Sequence, residues 1–329
     1  TRQKLRELAK VALDTAASKL GAHPTTAASA PPVADATFPF DAIRAEKIKT
    51  RGAIHRVVRN TPIDRIVDDN PQSVASGRPR IVAGRIGNAL QQTLEYDLVF
   101  LREGGQFELN EPYSAGAWIR VAKDGENQTI MGISGDLTNS AWRGWDFFLD
   151  RENRPSIRLI GYWPHNYMQI TAESSIGENE WHHVLFTYDG SSKASGLRIY
   201  VDGELAPCET DYDNLYRSIV LSWGKQDGWP QKPVMVGRSG RFYTGDNGVF
   251  TGALDHLQLF SRTLSQVEVA SLYASHTKTA PKQPTADALA EHHFLQTHSA
   301  VKAARVQLRD LLRERLNLLK EVPEIMVMA

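Results

Sequence analysis

The feature that most constrains the fold is a series of short segments, between about residues 81 and 262, in which apolar and polar residues alternate. Examples are AGAWIRVA, QTIMGIS, SIRLIGYW, HHVLFTYD and ALDHLQLF, separated by Gly, Asp, Asn or Pro. Because side chains on a strand point alternately to its two faces, this pattern is typical of strands that bury one face. No helical pattern interrupts them, so they predict an all-β sandwich or barrel of antiparallel strands.

The stretch 180–204, EWHHVLFTYDGSSKASGLRIYVDGE, combines two histidines with two aspartates and could be mistaken for a catalytic cluster. Alternation places the adjacent His182 and His183 on opposite faces of a strand, so they cannot share one metal ion. Asp189 and Asp202 each precede a glycine, which predicts turns in which the carboxylates bind local backbone N–H groups. A structural role in a three-strand meander is therefore favoured over a catalytic or ligand role.

Flanking segments have a different character. Residues 265–274 predict a short helix, in which Ser265 as N-cap and Glu268 three residues later form a capping box. The predicted organisation is a helix at 1–21 from an upstream domain, a linker and irregular segment at 22–80, the sandwich at 81–275, a linker at 276–285, and a long helix at 286–329 leading into a downstream domain.

Bulk composition excludes several function classes. Lys+Arg and Asp+Glu both total 38, so no net charge would draw the chain to nucleic acid. No apolar run approaches the roughly 20 residues that span a bilayer. Cys208 is the single cysteine of the 329 residues, so an intrachain disulfide, a thiolate zinc cluster and a CxxCH haem attachment are excluded in this segment.

Two motifs carry a family resemblance. WHHV…TYDGS…IYVDG, followed by GALDHLQLFSRTLS, resembles the laminin-G-like/concanavalin-A-like module over about residues 80–275. The resemblance implies a jelly-roll sandwich of two antiparallel sheets with a concave face. That fold hosts lectins, carbohydrate-binding modules, adhesion modules and some glycanases, so the fold alone does not decide the function.

A narrower resemblance concerns the wider polypeptide. RGWDFFLD, YWPHNYMQI, DYDNLYRSI and EIMVMA resemble large multidomain proteins that carry Planctomycete cytochrome C modules. There, a module of this type sits between two uncharacterised domains, and the flanking helices would be the ends of those neighbours. This resemblance implies an exported protein that is periplasmic, cell-surface or extracellular, although this segment itself contains no haem motif.

Catalytic signatures are weak. A glycanase needs two carboxylates that flank the scissile bond, and the usual E-x-D-x-x-E run is missing. The nearest runs are 146–150 (DFFLD) and 209–213 (ETDYD). No GxSxG, P-loop or HExxH motif occurs either.

Asp255 is the candidate metal ligand. In GALDHLQLF, alternation places it on the same face as Ala253, Leu257 and Leu259, and a carboxylate on an apolar face must be paired, hydrogen-bonded or metal-bound. A bond to backbone or to Arg262 is the favoured alternative. Calcium is the candidate cofactor, with loop carboxylates as further oxygen donors: Asp150, Asp189 and Asp246.

Ligand binding is predicted at aromatic loops, because sugar rings stack on flat aromatic side chains while their hydroxyls bond polar neighbours. The alternative is that several of these rings cap the core. The candidate binding residues are Trp142, Arg143, Trp145, Trp163, His165, Asn166, Tyr167, Trp223, Trp229 and Tyr243.

These features favour a non-catalytic carbohydrate-binding or adhesion module whose partners are a polysaccharide and the adjacent domains of its own polypeptide. The alternatives are a structural module that packs on neighbouring domains without binding sugar, and a polysaccharide-degrading enzyme. Aromatic side chains exposed on one face favour the first, and two carboxylates facing each other across a groove favour the enzyme.

Overall fold

The chain folds into a β-sandwich flanked by helices, as a computed structural model of it shows. The structure describes residues 30–41, 43–45, 64–66, 73–76, 79–92, 98–101, 104–122, 126–135, 142–221, 233–240, 248–297 and 299–322. The helix predicted at 1–21 lies outside these residues.

The described strands, in chain order, are β1 Ala36–Phe38, β2 Ile43–Ala45, β3 Asp64–Ile66, β4 Ser73–Ser76, β5 Arg80–Ala83, β6 Asn88–Gln92, β7 Leu98–Leu101, β8 Tyr113–Val121, β9 Gln128–Ser134, β10 Gly144–Leu149, β11 Pro155–Tyr162, β12 Asn166–Ala172, β13 Trp181–Tyr188, β14 Leu197–Val201, β15 Glu204–Leu205, β16 Cys208–Asp213, β17 Val234–Val236, β18 Gly248–Val249 and β19 Gly252–Phe260. The described helices are α1 Gln266–Thr277, α2 Ala286–Thr297 and α3 Ser299–Glu321.

Two large sheets form the sandwich. The back sheet runs β15-β14-β13-β8-β19-β6-β5, and β1 also pairs with β19. The front sheet runs β16-β12-β11-β10-β9-β17-β7-β4, and β18 also pairs with β9. Their pairings are antiparallel except between β18 and β9, and β2 and β3 form a separate pair. The predicted all-β sandwich of two antiparallel sheets is confirmed, with a jelly-roll order in which sequence neighbours are often in different sheets.

The sandwich also includes strands that precede residue 81. β1 pairs with β19, where Phe38 lies opposite Leu257, and β4 pairs with β7. Phe38 and Phe40 are fully buried in the main core. The segment 22–80, predicted to be a linker and irregular, therefore supplies sandwich strands, because two buried phenylalanines and open strand edges stabilise them there.

The meander predicted in 180–204 is confirmed. β13 pairs with β14, and β14 pairs with β15 across Asp202 and Gly203, both of which have positive φ. Asp189 accepts a hydrogen bond from the Ser191 amide, as a turn aspartate should. Asp202 differs from the prediction, because its carboxylate crosses the hairpin to the His183 amide and the His182 ring, at 2.9 and 2.8 Å.

Helix α1 covers the outer face of the back sheet. The predicted capping box is present: the Ser265 side chain accepts from the Glu268 amide, and the Glu268 side chain accepts from the Ser265 amide. Leu185 and Tyr200 of the sheet pack against Leu272 in a second, smaller core under this helix. The helix thus removes the part of the outer face around Leu185 and Tyr200 from solvent.

A buried aromatic cluster fixes the C-terminal turn of α1. Trp118 donates its indole N–H to the His276 ring at 3.1 Å, and His183 packs 5.3 Å from the Trp118 ring centroid. Both ring nitrogens of His183 are buried without a hydrogen-bond partner. Burial, reinforced by the neighbouring histidines, lowers the pKa of His183 to about 3 and that of His276 to about 4.

These pKa shifts predict a loss of stability in acid. Both histidines titrate near 6.5 when unfolded, so below that pH the unfolded chain binds protons that the folded chain does not. Asp255 opposes this effect below pH 6, because burial raises its pKa to about 6 and the folded state then binds the extra proton. His182 also opposes it, because its hydrogen bond with Asp202 raises its pKa. The contribution of His183 and His276 should lower the free energy of unfolding as pH falls from 7 to 5.

We expect His183→Leu to reduce this acid-dependent loss between pH 7 and pH 5 by about 2 kcal/mol. The variant removes a histidine that binds a proton in the unfolded chain but not in the folded chain. Urea unfolding at several pH values measures it. His165→Leu is the matched control, since His165 is an exposed histidine on the other sheet. An unchanged pH dependence in His183→Leu would contradict the assignment.

A second prediction concerns the hairpin turn. Gly203 has φ +81°, and a Cβ atom there would lie 2.8 Å from Cβ of Tyr273 in α1. We expect Gly203→Ala to lower the free energy of unfolding by about 1–3 kcal/mol. Gly177→Ala is the control, since the nearest atoms to its new Cβ are 3.5 Å away, an ordinary contact. Equal unfolding midpoints for the two variants would contradict this reading of the turn.

Candidate functional site

The outer face of the front sheet carries the candidate site. On β10, Trp145, Phe147 and Leu149 belong to the core between the sheets. Alternation therefore places Asp146 and Phe148 on the opposite, outer face. Arg158 of β11 pairs with Asp146 in register and lies on the same face.

Three aromatic rings form a row along this face. The Trp163 and Tyr167 ring centroids are 4.6 Å apart, and those of Tyr167 and Tyr212 are 4.3 Å apart with nearly parallel planes. All three side chains are half-buried. Tyr167 and Tyr212 belong to the adjacent strands β12 and β16, while Trp163 lies in the β11–β12 hairpin. We call Trp163, Tyr167 and Tyr212 the aromatic row.

Arg158 supports one end of the aromatic row. Its guanidinium carbon lies 5.2 Å from the Trp163 ring centroid and 4.9 Å from that of Phe148. Its Nη2 lies 3.7 Å from a carboxylate oxygen of Asp146, whose other oxygen accepts a 2.6 Å hydrogen bond from Ser239. Arg158 is only 5% exposed. Burial lowers the pKa of Arg158, and the Asp146 carboxylate opposes that shift.

Hydrogen bonds hold the hairpin that carries Trp163. The Asn166 side chain donates to the Asn214 carbonyl at 3.1 Å and accepts from the Arg217 amide at 3.0 Å. Gly161 leaves room for this arrangement, because a Cβ there would lie 2.4 Å from the Asn166 side-chain oxygen. Asn166, a predicted ligand residue, is thus buried and positions the loop.

Polar groups border the aromatic row on β12 and β16. Asp211 accepts hydrogen bonds from the hydroxyl of Thr171 at 2.7 Å and from the amide of Gln169 at 3.2 Å. Gln169 is half-buried and Asp211 is exposed, and His165 is exposed in the hairpin. The face therefore combines flat apolar rings with hydrogen-bonding groups at its edge.

The predicted ligand residues divide into several groups. Trp163 and Tyr167 come together in the aromatic row, with His165 between them in sequence. Trp145 is a correction: it is 2% exposed, lies in the main core and donates its indole N–H to the Gly105 carbonyl. Trp142 is likewise buried, at 4% exposure, so it cannot serve as a rim platform. Trp223, Trp229 and Tyr243 lie outside the described residues.

Tyr212 and Arg158 were missed in the sequence. Tyr212 stands in the acidic run ETDYD, and Arg158 stands in a buried strand, SIRLIGY. The available signal was alternation, which puts Arg158 on the face opposite Ile157 and Leu159. Alternation does not tell which strands are neighbours, so the contacts with Trp163 and Tyr167 could not be read from it.

Asp255 occupies a different face from the one predicted. A β-bulge between Asp255 and Gln258 shifts the register of β19, and His256 has φ +48°. As a result Leu254, Leu257 and Leu259 all point into the core. The prediction that Asp255 shares a face with Leu257 and Leu259 is wrong, because the extra residue of the bulge reverses the alternation.

The surroundings of Asp255 do not fit calcium. Its carboxylate accepts the Ile86 amide at 2.8 Å, and its register partner on β8 is Trp118. Calcium takes 6–8 oxygen ligands. No group of three or more His, Cys, Asp or Glu residues within the described part of the chain could hold a metal ion. Arg262, the proposed alternative partner, instead pairs with Glu268 at 2.8 Å.

Three solved structures are similar to part of this chain at low identity. The Botulinum neurotoxin serotype G binding domain has 16% identity and a TM-score of 0.44, with 61% of this chain and 45% of that chain covered. The CBM40 of the Ruminococcus gnavus IT-sialidase has 14% identity and a TM-score of 0.38, with 51% and 83% covered. Domain 4 of AbnA, an extracellular arabinanase from Geobacillus stearothermophilus solved with arabinotriose, has 16% identity and a TM-score of 0.40, with 60% and 82% covered. This chain thus spans less than half of the neurotoxin binding domain.

Sequence comparison identifies the family. No curated protein gives a significant match to the chain. A laminin G family model, described as the concanavalin A-like lectin/glucanases superfamily, matches residues 95–270, which is more than half of the chain. The match contains the meander, the hairpin with Trp163 and strand β19. The chain belongs to the concanavalin A-like lectin/glucanases superfamily.

Proposed function

We propose that this chain is a non-catalytic glycan-binding module, and that the aromatic row is its ligand surface. The observation that carries the proposal is the stacked, half-exposed arrangement of Trp163, Tyr167 and Tyr212 on the outer face of the front sheet. Fully buried rings would only stabilise the core, whereas each of these three side chains is partly accessible to solvent.

The chemistry of the face suits a sugar. The C–H groups of a pyranose ring can pack on the faces of the aromatic row, and Tyr and Trp bring a large apolar contact with a polar tip. The sugar hydroxyls can bond with Gln169, Asp211 and His165 at its border. Membership in a superfamily that includes lectins supports the same reading.

The carboxylates of this face support a binding role without hydrolysis. Asp146 is fully buried and bonded to Ser239, and Asp211 is engaged by Thr171 and Gln169. They belong to β10 and β16, which β11 and β12 separate. At the usual strand spacing the two backbones lie about 14 Å apart, farther than the roughly 5–9 Å between the carboxyl groups of a glycosidase.

We place the module in a larger exported polypeptide, in the periplasm, at the cell surface or outside the cell, beside domains like those that accompany Planctomycete cytochrome C modules. The sequence motifs quoted for that resemblance support this context. Within the described residues, no helix combines the length and apolarity needed to cross a bilayer. In this setting the module would hold its neighbours on a polysaccharide.

A second candidate function is a structural module that packs on an adjacent domain of the same polypeptide. Helix α3 favours it. Leu316 on one side of this helix joins the sandwich core, whereas Leu311 and Leu318, two turns apart on another side, are 48% and 60% exposed. If a neighbouring domain covers them, Leu311→Gln/Leu318→Gln in the longer polypeptide should increase proteolysis between the domains. Unchanged proteolysis would argue against this function.

We expect Trp163→Ala to weaken glycan binding by at least about tenfold, if a sugar ring on Trp163 gains as much as a nucleic-acid base gains on an aromatic side chain, on the order of 1–3 kcal/mol. The measurement is a glycan array, with and without calcium, followed by calorimetric titration of the best ligand. Tyr212→Ala should weaken binding similarly, since Tyr212 forms the other end of the aromatic row.

Trp181→Ala is the matched control. Trp181 is also a half-buried tryptophan with an arginine over its ring, Arg120 at 5.2 Å, but it belongs to the back sheet. Binding should remain unchanged in this control. Failure of the unsubstituted chain to bind any glycan would overturn the proposed function. Equal losses of glycan affinity in Trp163→Ala and Trp181→Ala would show that the aromatic row is not the binding site.

A reducing-sugar assay on the bound polysaccharide tests the proposal that the module does not hydrolyse its ligand. We expect no increase in reducing ends over a control without protein. Release of reducing ends that Asp211→Asn abolishes would instead show a hydrolase.

A further inference from the structure

A cleft next to the hairpin of Trp163 has an unusual charge composition. It encloses about 410 Å³ and is lined on the sandwich side by Glu108, Arg143 and Arg217, and on the α3 side by Leu316, Leu319 and Lys320. This volume falls in the range of small-ligand sites. The described lining has three basic side chains and one carboxylate, with an apolar wall from α3.

Glu108, the single carboxylate of the described lining, is held by hydrogen bonds to neighbouring residues. Glu108 accepts hydrogen bonds from the Ser218 hydroxyl at 2.6 Å, from its neighbour Leu109 at 2.8 Å and from the Ile219 amide at 3.1 Å. These three donors stabilise its charge and fix the loop of Ser218. With three basic side chains against this one carboxylate, the described lining carries a net positive charge.

Arg143 and Arg217 are close enough to affect each other. Burial lowers the pKa of Arg143, the positive charge of Arg217 lowers it further, and Glu108 partly offsets both effects. Arginine side chains nevertheless stay charged at neutral pH. Both arginines line the cleft, and a bound anion can accept forked hydrogen bonds from guanidinium groups.

The cleft and the aromatic row share one structural support. Arg143 donates its Nε–H to the Gly161 carbonyl at 3.1 Å, and the Arg217 amide donates to the Asn166 side chain at 3.0 Å. Gly161 and Asn166 are the two ends of the hairpin that holds Trp163. Two residues that line the cleft therefore bond directly to the hairpin that carries one ring of the aromatic row.

We propose that the cleft of Arg143, Arg217 and Lys320 binds an anionic group of the glycan, a carboxylate or a sulfate ester, so that the module selects acidic over neutral polysaccharides. This inference rests on the proposed function and adds the ligand class to it. The anion would accept hydrogen bonds from the two arginines, with Lys320 contributing a more exposed charge. The apolar wall of Leu316 and Leu319 would contact the sugar ring that carries the anion.

The test compares ligands that differ only in charge. Calorimetric titrations use polygalacturonate against its fully methyl-esterified form, and dextran sulfate against dextran. We expect the charged member of at least one pair to bind about tenfold or more tightly, as one charge-assisted pair would give, and high salt to reduce the preference. The pair that responds identifies the anion as carboxylate or sulfate.

Substitutions test whether the preference for charged glycans arises at the cleft. Arg217→Gln should reduce binding of the charged member by about tenfold and leave the neutral member unaffected, because its bond to the hairpin comes from the backbone amide. Arg143→Gln should weaken both members, and the charged member more, because its side chain also holds the hairpin of Trp163. Arg151→Gln is the matched control, because Arg151 is exposed in the turn after β10, whereas Arg143 precedes that strand. Because Arg143 also holds the hairpin, thermal unfolding checks each variant, and the comparison of ligands on the unsubstituted chain needs no variant at all.

The outcomes separate the two proposals. If neutral glycans bind through Trp163 and charge makes no difference, the acidic specificity is wrong while the glycan-binding function stands. If Arg151→Gln weakens acidic binding as much as Arg143→Gln and Arg217→Gln do, the effect is general electrostatics and the cleft assignment is wrong. If no glycan of either kind binds, the proposed function fails and this inference fails with it.

Discussion

Packing of the two sheets face to face is the interaction on which the rest of the structure depends. Phe186 of the back sheet meets Phe147 of the front sheet edge-on, with ring centroids 5.2 Å apart, and Trp145 lies 5.5 Å from the same phenylalanine. Every strand that contributes to this core must turn alternate side chains inward. Chemistry in the sandwich is therefore confined to outer faces and loops, which is where the aromatic row and the Arg143 cleft lie.

The two outer faces have different surroundings, and that difference directs the function. On the back sheet, α1 covers the outer face around Leu185 and Tyr200, which are fully buried. The front sheet keeps half-exposed rings beside a buried Arg158–Asp146 pair. A buried ion pair is weak evidence for stability, but it holds Trp163 from below. Contacts that hold the rings in place before a ligand arrives reduce the entropy cost of binding.

How much could be predicted differs between fold and site. The meander, its turn at Asp202 and the capping box of Ser265 are local, because neighbouring residues along the chain decide them. Local sequence patterns gave the wrong environment for Asp255 and Trp145. One bulged residue reversed the face of Asp255, and Trp145 looked like a loop residue although β10 begins one position before it. The strand at 36–38 was missed because its stability comes from a partner more than two hundred residues away.

Sequence alone was sufficient for the class of fold, since the period of two and the Gly and Asp turns leave an antiparallel sandwich as the arrangement that buries these segments. It also contains no E-x-D-x-x-E, GxSxG, P-loop or HExxH motif. Only the tertiary structure brought Trp163, Tyr167 and Tyr212 into one row and set Arg143 and Arg217 around one cleft. The physical reason is that strand order and loop packing depend on contacts between residues distant in the chain. The alternation of apolar and polar residues shows which face of a strand is buried, but not which strands are neighbours.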